Sequence, residues 1–286
     1  MGAFSILNNI AGLRAQQQLN SNNINLSKTL LRLSSGKRIN SGADDAAGLQ
    51  IADSLRGNIR ALDQAVRNAN DGIGVMQIAD SALQQISDLL TRVVTLGSEA
   101  ATQTTDSTGR TSLNTEFTQI ESEIARIAQQ TNFNGTQLFT SSGLNGTLHV
   151  FVGDTASVSS IAVTISTITA SGDEVTALGT VNLQTVDLTS QSSAASSLTI
   201  IKNALDTVSG MRASVGAGIS RLQAAVSVIQ SQSQNTQAAE SSIRDANVAE
   251  EIANLTKYQI LAQSGIAALA QANQSAQLVL ALIKQG

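Results

Sequence analysis

The sequence predicts a mainly α-helical protein, a long antiparallel helical coiled-coil bundle with a small β-hairpin region in the middle of the chain. Three observations carry this. Apolar residues recur at three-four spacing through both halves, proline is absent from all 286 residues, and strict alternation is confined to a Ser/Thr-rich middle. Three-four spacing places apolar positions on one stripe of a helix. Without proline, nothing removes a donor from a long helical ladder. Alternation is the period of a strand.

The elements follow in order. An amphipathic N-terminal stretch gives way to the polar run Ser34–Gly48, SSGKRINSGADDAAG. Asp44 and Asp45 close that run, where carboxylates favour the unpaired N–H groups that open a helix. A seam then runs through Ala52, Leu55, Ile59, Leu62, Val66, Ala69, Ile73, Met76, Ala79, Leu83, Ile86, Leu90 and Val93. Its one irregularity is a doubled step of three at Met76–Ala79, which locally overwinds a supercoil. Gly97 and the polar residues up to Gly109 end this helix. Leu113, Phe117, Ile120, Ile124 and Ile127 mark a second one.

The middle carries Asn134-Gly135 and Asn145-Gly146, both strong turn signals. Leu148/Val150/Val152, Ile161/Val163/Ile165 and Val181/Leu183/Thr185 alternate, which predicts short strands between about 140 and 190. Helical spacing resumes at Leu198, Ile201, Leu205 and Val208 and continues to Ile229, with Arg212 the one polar interruption. Ser233, Thr236 and Glu240 then break the seam, and Ile252, Leu255, Gln259, Ala262, Ile266, Leu269, Asn273, Ala276, Leu280 and Ile283 restore it. Gly72-Ile-Gly74 and Gly216-Ala-Gly218 lie inside helical patterns and read as sites of close helix packing rather than nucleotide loops.

Composition excludes several functions. The chain has no Cys and a single His, so disulfides, thiolate sites, a Cys nucleophile and a metal centre needing two His are ruled out. His149 reads as structural, and no cofactor site or catalytic constellation emerges. A net charge of −4 with 2% aromatic residues gives neither the basic face nor the stacking platforms of a nucleic-acid binder. The first twenty residues do not have the form of a cleavable secretory signal.

The ends are unusual. Residues 1–27 contain only Arg14 as a charge, and Tyr258–Ile283 contains none. Gln, Asn and Ser spread along the C-terminal stretch argue against a bilayer span. A free surface helix carries a charged face opposite its apolar stripe, and these do not. Uncharged amphipathic ends find a dry environment among other copies of the same chain. The residues expected to bury there are Ile6, Ile10, Leu13, Ile24 and Leu31, with Ile252, Leu255, Ala262, Ile266, Leu269, Ala276, Leu280 and Ile283.

LRLSSGKRINSGADDAAGLQ, which opens the block Leu31–Leu83, closely resembles the N-terminal block of bacterial flagellins. QQTNFNGTQLF (Gln129–Phe139) and SSIRDANVAEEIANLTKYQILAQSGIAALAQANQSAQLVLALI (Ser241–Ile283) are similar to two further flagellin segments. The resemblance implies a non-enzymatic, secreted structural subunit that polymerises into the helical flagellar filament used for motility. It implies an inner domain of paired terminal helices (1–43 with 243–286) and an outer helical domain (44–242). It also implies type III export to the cell exterior, and as partners other flagellin subunits, junction and cap proteins and an export chaperone. By the same resemblance Arg92, Leu96 and Glu116 match residues with which some flagellins contact Toll-like receptor 5, while Val94 and Thr95 replace charges often found between them. A hook–filament junction protein and a type III-secreted coiled-coil translocator or effector are the alternatives.

Overall fold

The structure, a computed structural model, describes residues 9–140, 144, 146–153, 160–171, 174–179 and 181–285. Helices dominate, with short antiparallel strand pairs confined to the middle of the chain. The elements are α1 (Ile10–Ser35), α2 (Ala46–Ala100), α3 (Ser107–Gln130), β1 (Asn132–Phe133), β2 (Thr136–Gln137), β3 (Thr147–Phe151), β4 (Ser160–Thr164), β5 (Ile168–Ser171), β6 (Glu174–Leu178), α4 (Gln191–Arg244) and α5 (Val248–Gln285). Contacts divide the chain into two compact units, one within residues 1–57 and 235–286 and the other Asn58–Gln234. The first is called the terminal unit and the second the body unit.

Helix boundaries follow local chemistry. The Asn9 side chain accepts from the Gly12 N–H at 2.9 Å and opens α1, and Gly36, at φ +69°, closes it in the left-handed conformation that glycine adopts without strain. Asp45, Asp106 and Asn247 cap α2, α3 and α5 through the N–H groups of Gly48, Gly109 and Ala249. Asn134 and Gly135 both have positive φ, as a two-residue hairpin between β1 and β2 requires.

The core of the body unit joins α2, α3 and α4 to the strands. Leu83, Ile86, Leu90 and Leu96 on α2 meet Phe117 and Ile124 on α3 and Ile201, Val208 and Val215 on α4 in one buried cluster. Each predicted seam position from Ala52 to Val93 is buried or half-buried. The buried stripe is wider than the narrow seam expected, because Val75, Ala82 and Leu96 are buried as well. A helix with neighbours on more than one side needs a broad apolar face.

Hairpin β3–β4 pairs Val150 with Ile161 and Leu148 with Val163. It adds a strand to the helix packing expected at the two glycine motifs. A Cβ on Gly72 would stand 2.7 Å from Val150, and one on Gly218 would stand 2.5 Å from Val163. The same two glycines also admit the facing helix, since these Cβ atoms would meet Leu222 of α4 at 3.3 Å and Met76 of α2 at 2.9 Å, whereas Gly74 and Gly216 have nothing within 4 Å. Two further differences concern boundaries. Val181–Thr185 is no strand, since Asn182 caps a 3-10 turn at Leu183–Thr185 through the Gln184 N–H. The polar residues Ser233, Thr236 and Glu240 interrupt the apolar seam but not the helix, which continues to Arg244.

Candidate assembly surface

The terminal unit is built on α1 and α5, which run antiparallel. The Asn9 amide donates to the Ala272 carbonyl at 3.2 Å near one end, and Arg32 faces Glu251 near the other. The face of α1 turned inward carries Gly12, Ala15, Leu19, Asn22, Leu26, Thr29 and Leu33, of which the fully buried members are Gly12, Asn22 and Thr29. On α5 the covered positions are Glu251, Asn254, Leu255, Tyr258, Ala262, Gly265, Leu269 and Ala272, and Gly265 lies against Leu19.

A second set of large branched residues points the other way. Ile10, Leu13, Ile24 and Leu31 on α1 are 54–59% exposed, and Ile252 and Ile266 on α5 are 49% and 59% exposed. Ile24 and Leu31 border an open groove of about 630 Å³ with Asn20, Asn23, Ser27 and Lys28. Leaving a Leu or Ile in water forfeits about 1.5–3 kcal/mol relative to burying it. Among the residues expected to mediate polymerisation, these six therefore form an exposed apolar surface. Leu255, Ala262 and Leu269 are half-buried on the covered side of α5. Ile6, and the side chains of Ala276, Leu280 and Ile283, lie outside the described residues.

Sequence reasoning missed how the two polar breaks meet. The Arg38 N–H donates to the Arg244 carbonyl at 2.7 Å, and the Ala246 N–H donates to the Gly36 carbonyl at 2.9 Å. Around them Arg244 pairs with Asp53 at 2.9 Å, Arg56 with Glu240 at 2.9 Å, and Arg32 reaches both Asp44 and Glu251. The buried Ile39 plugs the joint. A hydrogen bond from the Ser41 hydroxyl, opposed by a weaker effect of burial, holds the Asp44 carboxyl below the ordinary aspartate value. The charges were visible in the sequence, but pairs such as Arg244–Asp53, Arg56–Glu240 and Arg32–Glu251, far apart along the chain, leave no local periodic signal.

Arg92 and Glu116 come together on the surface of α2 and α3, 2.8 Å apart. Leu96 is fully buried in the body core and does not share their exposed face. His149 borders a groove of about 440 Å³ with Asp71, Phe133 and Phe151. No group of three or more His, Cys, Asp or Glu able to hold a metal occurs among the described residues, and no described helix is long and apolar enough to cross a membrane.

These features define a long-helical protein with an exposed apolar surface on its paired terminal helices. The family model of the bacterial flagellin N-terminal helical region matches residues 6–143, and that of the C-terminal helical region matches 198–283. Flagellin FlaB1 of Treponema pallidum is 34% identical over 98% of this chain and 99% of its own. A flagellar filament 33 kDa core protein of Treponema phagedenis is also 34% identical, with the same coverage of 98% and 99%. A crystal structure of Bacillus cereus flagellin superposes on 61% of this chain and 94% of that one, at 25% identity and a TM-score of 0.47. The chain belongs to the bacterial flagellin family.

Proposed function

We propose that this chain is a structural subunit that polymerises with copies of itself into the helical bacterial flagellar filament, the propeller of motility. Relatives of nearly equal length bear the names flagellin and flagellar filament core protein. The single observation that carries the reading is the inside-out pairing of α1 and α5. The fully buried positions of α1 are Gly12, Asn22 and Thr29, set among half-buried leucines, while Ile10, Leu13, Ile24, Leu31, Ile252 and Ile266 stand in solvent. Neighbouring copies dry these side chains, and repeated heterologous contacts of this kind generate an open helical tube.

Within that tube residues 1–43 and 243–286 form the inner domain and residues 44–242 the outer one. The subunit performs no chemistry. It leaves the cell through type III export with a chaperone, and meets junction and cap proteins at the ends of the extracellular filament. Toll-like receptor 5 contacts the exposed Arg92–Glu116 pair, with Leu96 holding α2 in place from the core; loss of signal from Arg92→Ala in reporter cells tests this, and an unchanged signal overturns it.

The central test is elongation of filament seeds followed by electron microscopy. The intact chain extends them. Chains lacking Ile10–Ser35 or Val248–Gln285 do not, yet keep most of the body-unit helix signal in far-UV circular dichroism. Polymer formed by either truncated chain would overturn the reading.

A further inference from the structure

Arg32 stands in the last turn of α1 with two carboxylates before it. Its NH1 lies 3.5 Å from Glu251 Oε1 in the first turns of α5, and its NH2 lies 3.9 Å from Asp44 Oδ1 in the loop leading to α2. A guanidinium settled on one carboxylate approaches to about 2.7–2.9 Å. Arg32 is therefore stretched between two partners and saturates neither.

The two partners are unequal. Asp44 Oδ2 accepts from the Asn40 N–H at 3.3 Å and from the Ser41 N–H and hydroxyl at 3.0 Å each. It holds its loop without Arg32, and only Oδ1 is turned to the guanidinium. Glu251 is 7% exposed, and its Oε2 has no hydrogen-bond partner among the described residues. A buried carboxylate with half its capacity unused draws a nearby cation.

We propose that Arg32 is a two-position latch, moving wholly onto Glu251 or wholly onto Asp44, so that it tightens either the start of α5 or the loop Asn40–Asp44 and releases the other. Attraction grows as each separation shortens, so motion toward one carboxylate weakens the hold of the other. Leu31, the preceding residue, is exposed on the assembly surface. A neighbouring copy that covers Leu31 biases the latch. That link rests on the filament reading, whereas the latch itself is a property of the single chain.

Amide hydrogen exchange on the full-length monomer tests it. With Glu251→Gln, Arg32 passes to Asp44, and exchange slows at Asn40 and Ser41 by roughly fivefold, the upper end for such a pair, while the start of α5 exchanges faster. With Asp44→Asn the pattern reverses: the start of α5 slows and the loop speeds up. A purely structural pair would speed exchange at both segments in both variants, and that result, or no change in either, overturns the latch. Arg32→Ala strands the Glu251 charge and speeds exchange at the start of α5; adding Glu251→Gln restores it, and failure to restore it also counts against the latch. Because no filament is involved, seeds that fail to elongate would remove the filament reading and leave this result standing.

Discussion

The body unit and the terminal unit use long helices in opposite ways. In the body, Leu83, Ile86, Leu90 and Val93 are turned into a common core with α3, α4 and the strands, and charges such as Arg92 and Glu116 stay outside. In the terminal unit the contact between helices takes Gly12, Asn22 and Thr29, while Ile10, Leu13, Ile24 and Leu31 face water. Burial of large side chains is the main favourable term in folding, and ordering each residue costs about 1–2 kcal/mol of backbone entropy. The body meets that cost from its own core. The terminal unit leaves part of that contribution unused, since those four α1 side chains stay in water. One chain thus combines a body whose large side chains are buried in its own core with an end that leaves many of its large side chains exposed.

Truncating one large side chain in each unit would break the comparison most directly. Leu90→Ala empties a fully buried site of the body, and such deletions cost about 2–5 kcal/mol of monomer stability. Ile24→Ala removes a side chain that is already 59% exposed, and changes of that kind stay within about 0.5 kcal/mol. Its effect belongs to assembly instead, as a raised critical concentration for polymer. Denaturant unfolding of both monomers, beside sedimentation of both polymers, separates the cases. An Ile24→Ala monomer destabilised as much as Leu90→Ala would mean that α1 hides its apolar face within the single chain.

How much the sequence revealed differs between the units for the same reason. In the body the residues at three-four spacing are the large ones and are also the buried ones, so Leu62, Met76, Leu83 and Leu90 could be read directly. On α5 the same reasoning chose Ile252, Gln259, Ile266 and Asn273 as part of the seam, and all four are exposed. The covered face there combines three of the seam's own residues, Leu255, Ala262 and Leu269, with Gly265 and Ala272, which the seam did not include. A pattern that equates size with burial cannot place a helix whose large residues are divided between a covered and an exposed face. The terminal apolar positions nonetheless stood out in the sequence as candidates for assembly, because their missing charges leave no hydrophilic face to hold in water. The joint of Arg32, Asp44, Asp53, Arg56, Glu240, Arg244 and Glu251 was not legible, since the pairs that close it are set by tertiary approach.

Two glycines in the body, two positions apart, sharpen the point that its interior is fully committed. A Cβ on Gly218 meets Val163 at 2.5 Å and Met76 at 2.9 Å, whereas one on Gly216 meets nothing within 4 Å. Gly218→Ala therefore overfills the seat of β4, at about 1–3 kcal/mol. Gly216→Ala only removes backbone freedom inside α4 and stabilises by about 0.5–1 kcal/mol. In the terminal unit Gly57 is as open as Gly216, and Gly57→Ala stabilises in the same direction. Thermal unfolding of the three variants gives one lowered and two raised midpoints; a lowered midpoint for Gly216→Ala would show a close neighbour on that face of α4.

Acid gives the smallest effect and one the units share. Asp44 in the terminal unit is held below the ordinary aspartate value chiefly by the Ser41 hydroxyl. Asp187 in the body is held below it chiefly by the Thr189 N–H, which donates to Oδ1 at 2.9 Å. A carboxyl whose folded value is depressed contributes stability that is present above the unfolded value, about 3.9, and is lost as pH falls through the folded value. Both loops therefore keep their hydrogen bonds at neutral pH and loosen only in acid below about pH 4. Carboxyl chemical shifts followed by NMR should give midpoints below an ordinary aspartate for both residues, with the Ser41 and Thr189 amides losing protection over the same range. An ordinary midpoint at Asp44 together with a depressed one at Asp187 would mean that the loop Asn40–Asp44, like the apolar face of α1, acquires its order only in the assembly.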